Sequence, residues 1–133
     1  MIRLLVERGA DPDGDGDAHK LGVLGWATAF DNVQPRRDVI DYLLGRGARH
    51  SIFSAVAIGD VAAIRALGRD HVERRMDIAN RRRTPLHLAV TKRQPAALEA
   101  LLALGAQLEL VDDRGLTPLD QAALEASASW RAA

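Results

Sequence analysis

Two stretches of this 133-residue chain concentrate side chains that could do chemistry. In the first, Asp11-Pro12-Asp13-Gly14-Asp15-Gly16-Asp17 opens like a D-x-D-x-D-G calcium loop. In such a loop alternate carboxylates converge on a hard cation, and glycine at the sixth place allows the sharp turn. The twelfth place should hold a bidentate glutamate and holds Gly22 instead. A solvated acidic turn, rich in Asp and Gly as turns are, accounts for the stretch more simply. The second stretch is Arg81-Arg82-Arg83, with Arg74 and Arg75 close in sequence. Planar guanidinium groups suit two-pronged contact with carboxylate or phosphate, although Glu73, Asp77, Asp112 and Asp113 would balance a merely solvated turn.

Nothing else in the chain has the spacing of a reactive centre. His19, His50, His71 and His87 show no metal-ligand pattern. Nucleophile-elbow, zincin, phosphate-loop and dinucleotide motifs are all missing from the sequence. The expectation is a chain that is not an enzyme, with no catalytic residue, no cofactor, no metal and no small-molecule substrate. Lysine plus arginine equals aspartate plus glutamate, 18 against 18. That balance, and the lack of stacking aromatics beside the arginines, argue against nucleic acid. No cysteine occurs, which fits a reducing compartment. No apolar run has the length of a membrane span, and the start, Met-Ile-Arg-Leu-Leu-Val-Glu-Arg, is too charged for a secretory leader. A cytoplasmic protein with no membrane contact is expected, and its arginine-rich, alanine-rich composition points to a bacterial source.

The elements that would carry these residues are short helices with a repeat. Thr84 reads as an N-cap and Pro85 as a first helical residue, where the missing N–H costs nothing. Leu86, Leu88 and Ala89 follow as buried positions. Gln94-Pro95 opens the next helix, with Leu98, Leu101 and Leu102 as its apolar stripe and Gly105 as its stop. Thr84-Pro85-Leu86-His87-Leu88-Ala89 recurs 33 residues on as Thr117-Pro118-Leu119-Asp120-Gln121-Ala122. Leu101-Leu102-Ala103-Leu104-Gly105-Ala106 echoes Leu43-Leu44-Gly45-Arg46-Gly47-Ala48 and Leu4-Leu5-Val6-Glu7-Arg8-Gly9-Ala10. Helices this short are below the roughly 12–15 residues that stand alone, so they must stack. These residues resemble the ankyrin repeat. The resemblance implies an all-α solenoid of stacked helix-turn-helix units with short β-hairpin or loop fingers. It also implies that Thr84 and His87 hydrogen-bond across the helix start in a structural role.

Aligned on the motif, the chain divides into a half repeat at 1–10 and a repeat at 11–48 with a long inter-helix loop. A repeat at 49–76 lacks its finger, 77–109 is the best-formed repeat, and 110–133 is a terminal partial repeat. In the second unit a helix near Gly22–Phe30 precedes the loop Asp31–Gln34; Pro35 opens the next helix, with Val39, Ile40, Leu43 and Leu44 buried. In the third, His50 aligns with Thr84 and Asp60 caps Val61–Leu67. Ala79 and Arg82 replace the Asp and Gly that Asp112 and Gly115 supply before Thr117. The last unit has a first helix at Thr117–Ala126, after which the chain trails off, with Trp130 folded back over the core. Ile2, Leu4, Leu5 and Val6 have no helix before them, which marks either a fragment of a longer array or a self-association surface.

By resemblance, a partner sits on the concave face, which finger tips and first helices build. The corresponding tips are Asn80, Arg81 and Arg83, then Asp113, Arg114 and Leu116. The helix positions are Thr91 and Lys92, Leu124 and Glu125, Ala29 and Phe30, with Ala57 and Ile58 beside them. Phe30 and Leu116 would be apolar anchors. The function implied is a non-catalytic protein–protein interaction scaffold; the alternative is a regulatory or targeting segment of a larger protein or enzyme.

Overall fold

The structure, a computed structural model, describes residues 1–14, 22–30, 34–77 and 80–132, with side chains through Ser127. Asp15, Asp17, His19, the loop positions 31–33, Ala79 and the Trp130 side chain therefore lie outside the described residues. Eight α-helices run through the rest: α1 Ile2–Glu7, α2 Gly22–Thr28, α3 Arg37–Gly45, α4 Ile52–Ile58, α5 Val61–Leu67, α6 Pro85–Thr91, α7 Pro95–Ala103 and α8 Pro118–Ala132. A 3₁₀ turn covers Arg69–His71. There is no strand among the described residues, so the fingers expected as β-hairpins or loops are hydrogen-bonded loops.

The first helices form one layer, α2 on α4, α4 on α6 and α6 on α8. The second helices form the other, with α3 against α2, α5 against α4 and α7, and α7 against α6. This is the all-α solenoid that the resemblance implies. Its main core lies between the layers and includes Ile52, Val56, Ile64, Leu86, Leu88 and Leu101. A smaller core of Leu24, Ile40, Leu43 and Ala48 sits under α2 and α3. The α1 helix buries none of its residues; Val6 leans on the smaller core, and Arg3 lies 4.5 Å over the Tyr42 ring.

Three first helices begin with the same reciprocal cap built from different residues. Thr84 pairs with His87, Ser51 with Ser54, and Thr117 with Asp120, each side chain serving the other's backbone N–H. Such caps stabilise a helix by about 1 kcal/mol each. Ser51, not His50, therefore stands at the place of Thr84. From α4 to α6 to α8 the first helices are spaced by 33 residues, whereas α5 to α7 is 34, because Gly59-Asp60 is one residue shorter than Lys92-Arg93-Gln94. Asp60 does cap α5, its carboxylate accepting from Ala63 N–H at 3.0 Å.

The Leu-Leu-x-x-Gly-Ala ends close alike. Ala10, Ala48 and Ala106 each donate back to Leu5, Leu43 and Leu101 at 3.0–3.1 Å, with Gly47 and Gly105 at φ +102° and +93°. A left-handed residue at this place satisfies the last carbonyls of the helix. Between α4 and α5 the same job falls to Gly59, at φ +71°, where a Cβ would sit 2.6 Å from Gln94 Oε1.

Three expectations change. Pro35 precedes its helix without entering it, since α3 starts at Arg37 behind Arg36 as N-cap. Leu102 is 38% exposed, and Ala97, Ala100 and Leu101 face the core instead; small alanines let α7 approach α5 closely. The chain does not trail off after Ala126. With no Gly or Pro from Leu119 to Ala132 to break it, the alanine-rich segment extends α8 to Ala132, and Ser127 Oγ donates to Ala123 O at 3.1 Å.

Two glycine substitutions should act in opposite directions. Gly59→Ala forces a left-handed alanine against Gln94 and should lower stability by about 1–2 kcal/mol. Gly45→Ala, in helical backbone with open space around it, should raise it by about 0.5 kcal/mol. Paired thermal melts check the signs.

Candidate interaction surface

The His87 imidazole is fully buried on the first turn of α6. Its Nε2 lies 2.7 Å from the Leu116 carbonyl oxygen. A carbonyl only accepts, so Nε2 carries the proton. Nδ1 is then the acceptor, 2.7 Å from Thr84 Oγ1 and 3.2 Å from the Thr84 amide. Burial draws its pKa below the ordinary 6.5; the Leu116 contact and Asp112 oppose the shift, while Arg75 and Arg83 add to it. A neutral ring thus ties one helix start to the next finger. The bond to Thr84 follows the expected motif, whereas the bond to Leu116 was not legible in the sequence.

The finger that receives it is shaped by Asp112. Its buried carboxylate accepts from the Arg114 amide at 2.9 Å, the Leu116 amide at 3.1 Å, and the Arg114 guanidinium at 3.1 and 2.8 Å. Burial works against the charge, yet Arg114 and these amides hold the carboxyl below its ordinary 3.8. The preceding finger lacks that aspartate and closes differently. Met76 N–H donates to Arg83 O at 2.9 Å, and Asp77 accepts from the Asn80 amide at 3.2 Å and its side chain at 2.9 Å. Arg81 and Arg82 take φ +61° and +50°, where Gly115 supplies φ +81° at the place equivalent to Arg82. Left-handed backbone costs a residue with a Cβ about 1–2 kcal/mol.

The two fingers are joined edge to edge. Asp113 N–H donates to Arg81 O at 2.9 Å. The Arg75 guanidinium donates to Arg82 O at 3.0 Å and to Val111 O at 2.6 Å. Arg75 is therefore a staple between fingers, a role that its place in a charge run did not reveal.

Among the expected contact residues, Asn80 and Arg83 are 5% and 3% exposed and are not finger-tip surface. Arg83 turns inward because its donors find Asn80 O at 3.1 Å and Thr91 Oγ1 at 3.3 Å. Gln121, buried at the position equivalent to Leu88, extends this network: its Nε2 reaches Thr91 Oγ1, His87 O and, at 3.2 Å, Glu125 Oε1. A glutamine where the motif has leucine was the available signal. Ala29 and Ala57 are likewise buried. Arg81, Asp113 and Leu124 are exposed, Arg114 is turned onto Asp112, and Leu116 and Glu125 are half-buried. The Phe30 ring packs on Trp26, centroids 4.7 Å apart, and its carbonyl accepts from the Lys92 ammonium.

Thr91 and Lys92 line a groove of about 570 Å³ that crosses three successive units. Its described walls include Pro35, Arg37, Ile40, Ile58, Arg93 and Gln94. At the opposite end, Asp13 is already engaged: Arg49 donates to its carboxylate from the amide at 2.9 Å and from the guanidinium at 3.2 and 3.1 Å. The second carboxylate of the suspected calcium loop thus faces an internal cation. Among the described residues no three acidic, histidine or cysteine side chains are grouped to hold a metal, and no helix is long and apolar enough to cross a membrane.

Comparison with known proteins agrees with this geometry. Residues 72–122 match the model of ankyrin repeats in many copies. A 40-residue stretch is 58% identical to NF-kappa-B inhibitor alpha of rat, mouse and human. That stretch is 30% of this chain and spans 13% of the length of those relatives. Residues 72–122 carry ankyrin repeats, and the helices stack as an all-α solenoid of ankyrin type.

The neutral His87 fixes a pH dependence. With its folded pKa below 6.5, the unfolded chain takes up the proton first, so stability is full above about pH 6.5 and is lost as pH falls toward the folded value. His50, whose pKa burial also lowers against the pull of Asp60, acts in the same direction. Depressed carboxylates such as Asp112 give their full stabilisation above about 3.8 and lose it only as pH falls further, so they add no slope in this range. Urea unfolding from pH 7.5 to 5.5 should show a falling midpoint, with a slope of at most about 1.4 kcal/mol per pH unit per histidine. His87→Gln should flatten that slope. An unchanged slope in the variant would mean that His87 does not titrate with unfolding.

Proposed function

We propose that this chain is a non-catalytic protein-interaction module whose partner lies across the groove at Thr91 and Lys92 and along the exposed finger edge. The observation that carries this reading is the continuity of that surface. Arg83 links the basic finger to Thr91, Thr91 lines the groove, and Lys92 links the groove to Phe30 two units away. The contact residues we assign are Phe30, Arg81, Thr91, Lys92, Asp113, Arg114, Leu116, Leu124 and Glu125; Asn80 and Arg83 support them from below. Stacked repeats give one extended concave surface of this kind. The division into units at 1–10, 11–48, 49–76, 77–109 and 110–133 belongs to the same proposal, as does a cytoplasmic setting, which the cysteine-free composition supports. The matched relatives are named as inhibitors of NF-kappa-B. A shared stretch of 40 residues supports a protein partner and leaves its identity open.

A second reading, a regulatory or targeting segment of a larger protein, draws on the exposed faces of Ile2, Leu4 and Leu5. Such apolar surface suits docking to another domain or self-association.

Site-specific photo-crosslinking separates these. A benzophenone side chain at Lys92 or Leu124 should give a protein adduct in cell extract, and one at the exposed Glu99 on α7 should not. Adducts from Leu4 alone, or from Glu99 alone, would contradict a concave-face partner.

A further inference from the structure

We infer that the segment this surface receives is acidic, with Arg81 and Arg82 as its carboxylate-binding pair. The inference rests on the protein-interaction reading above and names the chemistry of the partner. Arg74, Arg81 and Arg82 are exposed, and among the described residues no carboxylate is paired with them. They differ in this from Arg49, Arg36, Arg37 and Arg114, each of which contacts an aspartate. Glu73, Asp77 and Asp113 lie close in sequence, yet among the described residues the structure pairs none of them with the Arg74, Arg81 or Arg82 guanidinium groups.

The backbone beneath them points the same way. Arg81 and Arg82 occupy left-handed conformations in succession. The next finger shows glycine serving at the place of Arg82, so the turn itself does not ask for arginine. Strained residues of this kind cluster at ligand sites. Both carbonyls are held, Arg81 O by the Asp113 amide and Arg82 O by Arg75. The two side chains therefore project from a fixed backbone, so that binding has only their own rotamers to order.

The groove walls carry Lys92 and Arg93 beside Arg37, which is itself paired with Asp41. A planar fork that accepts two oxygens at once recognises carboxylate and phosphate alike. Asp113 and Glu73 beside the finger favour a polypeptide with spaced carboxylates over the dense phosphates of nucleic acid, and residues 72–84 offer no aromatic ring for base stacking.

The test uses fluorescence anisotropy at low salt with three labelled probes: a Glu-Ser repeat peptide, its Gln-Ser counterpart, and oligothymidine of matching charge. The Glu-Ser peptide should bind and weaken with added salt, and the Gln-Ser peptide should not bind. Arg81→Gly/Arg82→Gly keeps the turn, because glycine accepts both conformations, and should weaken binding roughly tenfold. Arg81→Lys/Arg82→Lys keeps the charge and should recover part of it. No binding of the Glu-Ser peptide, equal binding of the Gln-Ser peptide, or an unaffected glycine variant would overturn the inference. Tighter binding of oligothymidine would replace it with a phosphate-reading surface. If the wild-type chain binds no Glu-Ser peptide but still gives Lys92 and Leu124 adducts in extract, the interaction module stands and only the acidic partner falls.

Discussion

Helices of seven to nine residues, such as α4 and α7, have no stability of their own, so each must be held by the next. The His87 imidazole is where that dependence is most concentrated. One nitrogen closes the cap that starts α6, and the other anchors the backbone of the following finger at Leu116. Both contacts require the neutral ring in one tautomer. Asp112 then shapes the anchored finger, and that finger lies against its predecessor through Arg75 and the Asp113 amide. Helix starts and fingers are thus parts of one hydrogen-bonded chain that runs along the solenoid.

This chain of bonds decides which polar groups remain for a partner. Arg83, Asn80 and Gln121 look like recognition residues by type but are buried in the scaffold. Their donors serve carbonyls, a hydroxyl and carboxylates within the scaffold. Arg75 is exposed, yet its guanidinium is committed to two carbonyls. What is left outward is the guanidinium pair at the finger tip, resting on a hydrogen-bonded backbone.

The parts of the fold set by local chemistry were readable in the sequence. Thr84-Pro85 and the Leu-Leu-x-x-Gly-Ala ends each encode a backbone geometry in a few adjacent residues, and their spacing alone gives the stacked architecture. Side-chain direction was less accessible. Whether Arg83 points out or in depends on Thr91, eight residues away on the next helix, and no local pattern states that distance. The register slip at His50 has a similar origin: a one-residue deletion after Ile58 moves α5 but leaves the Ser51 cap in phase with Thr84. The end of α8 departs from the local pattern for the opposite reason. A polar run of serines and alanines resembles a tail, but no residue in it breaks a helix.

The most direct test of this account is a long-range proton–nitrogen NMR spectrum of the His87 ring, followed through a pH titration. The account predicts a protonated Nε2 and a bare, accepting Nδ1 near pH 7, with a midpoint below the ordinary 6.5. A proton on Nδ1, or a ring that titrates at or above 6.5, would contradict it and remove the bridge between neighbouring repeats.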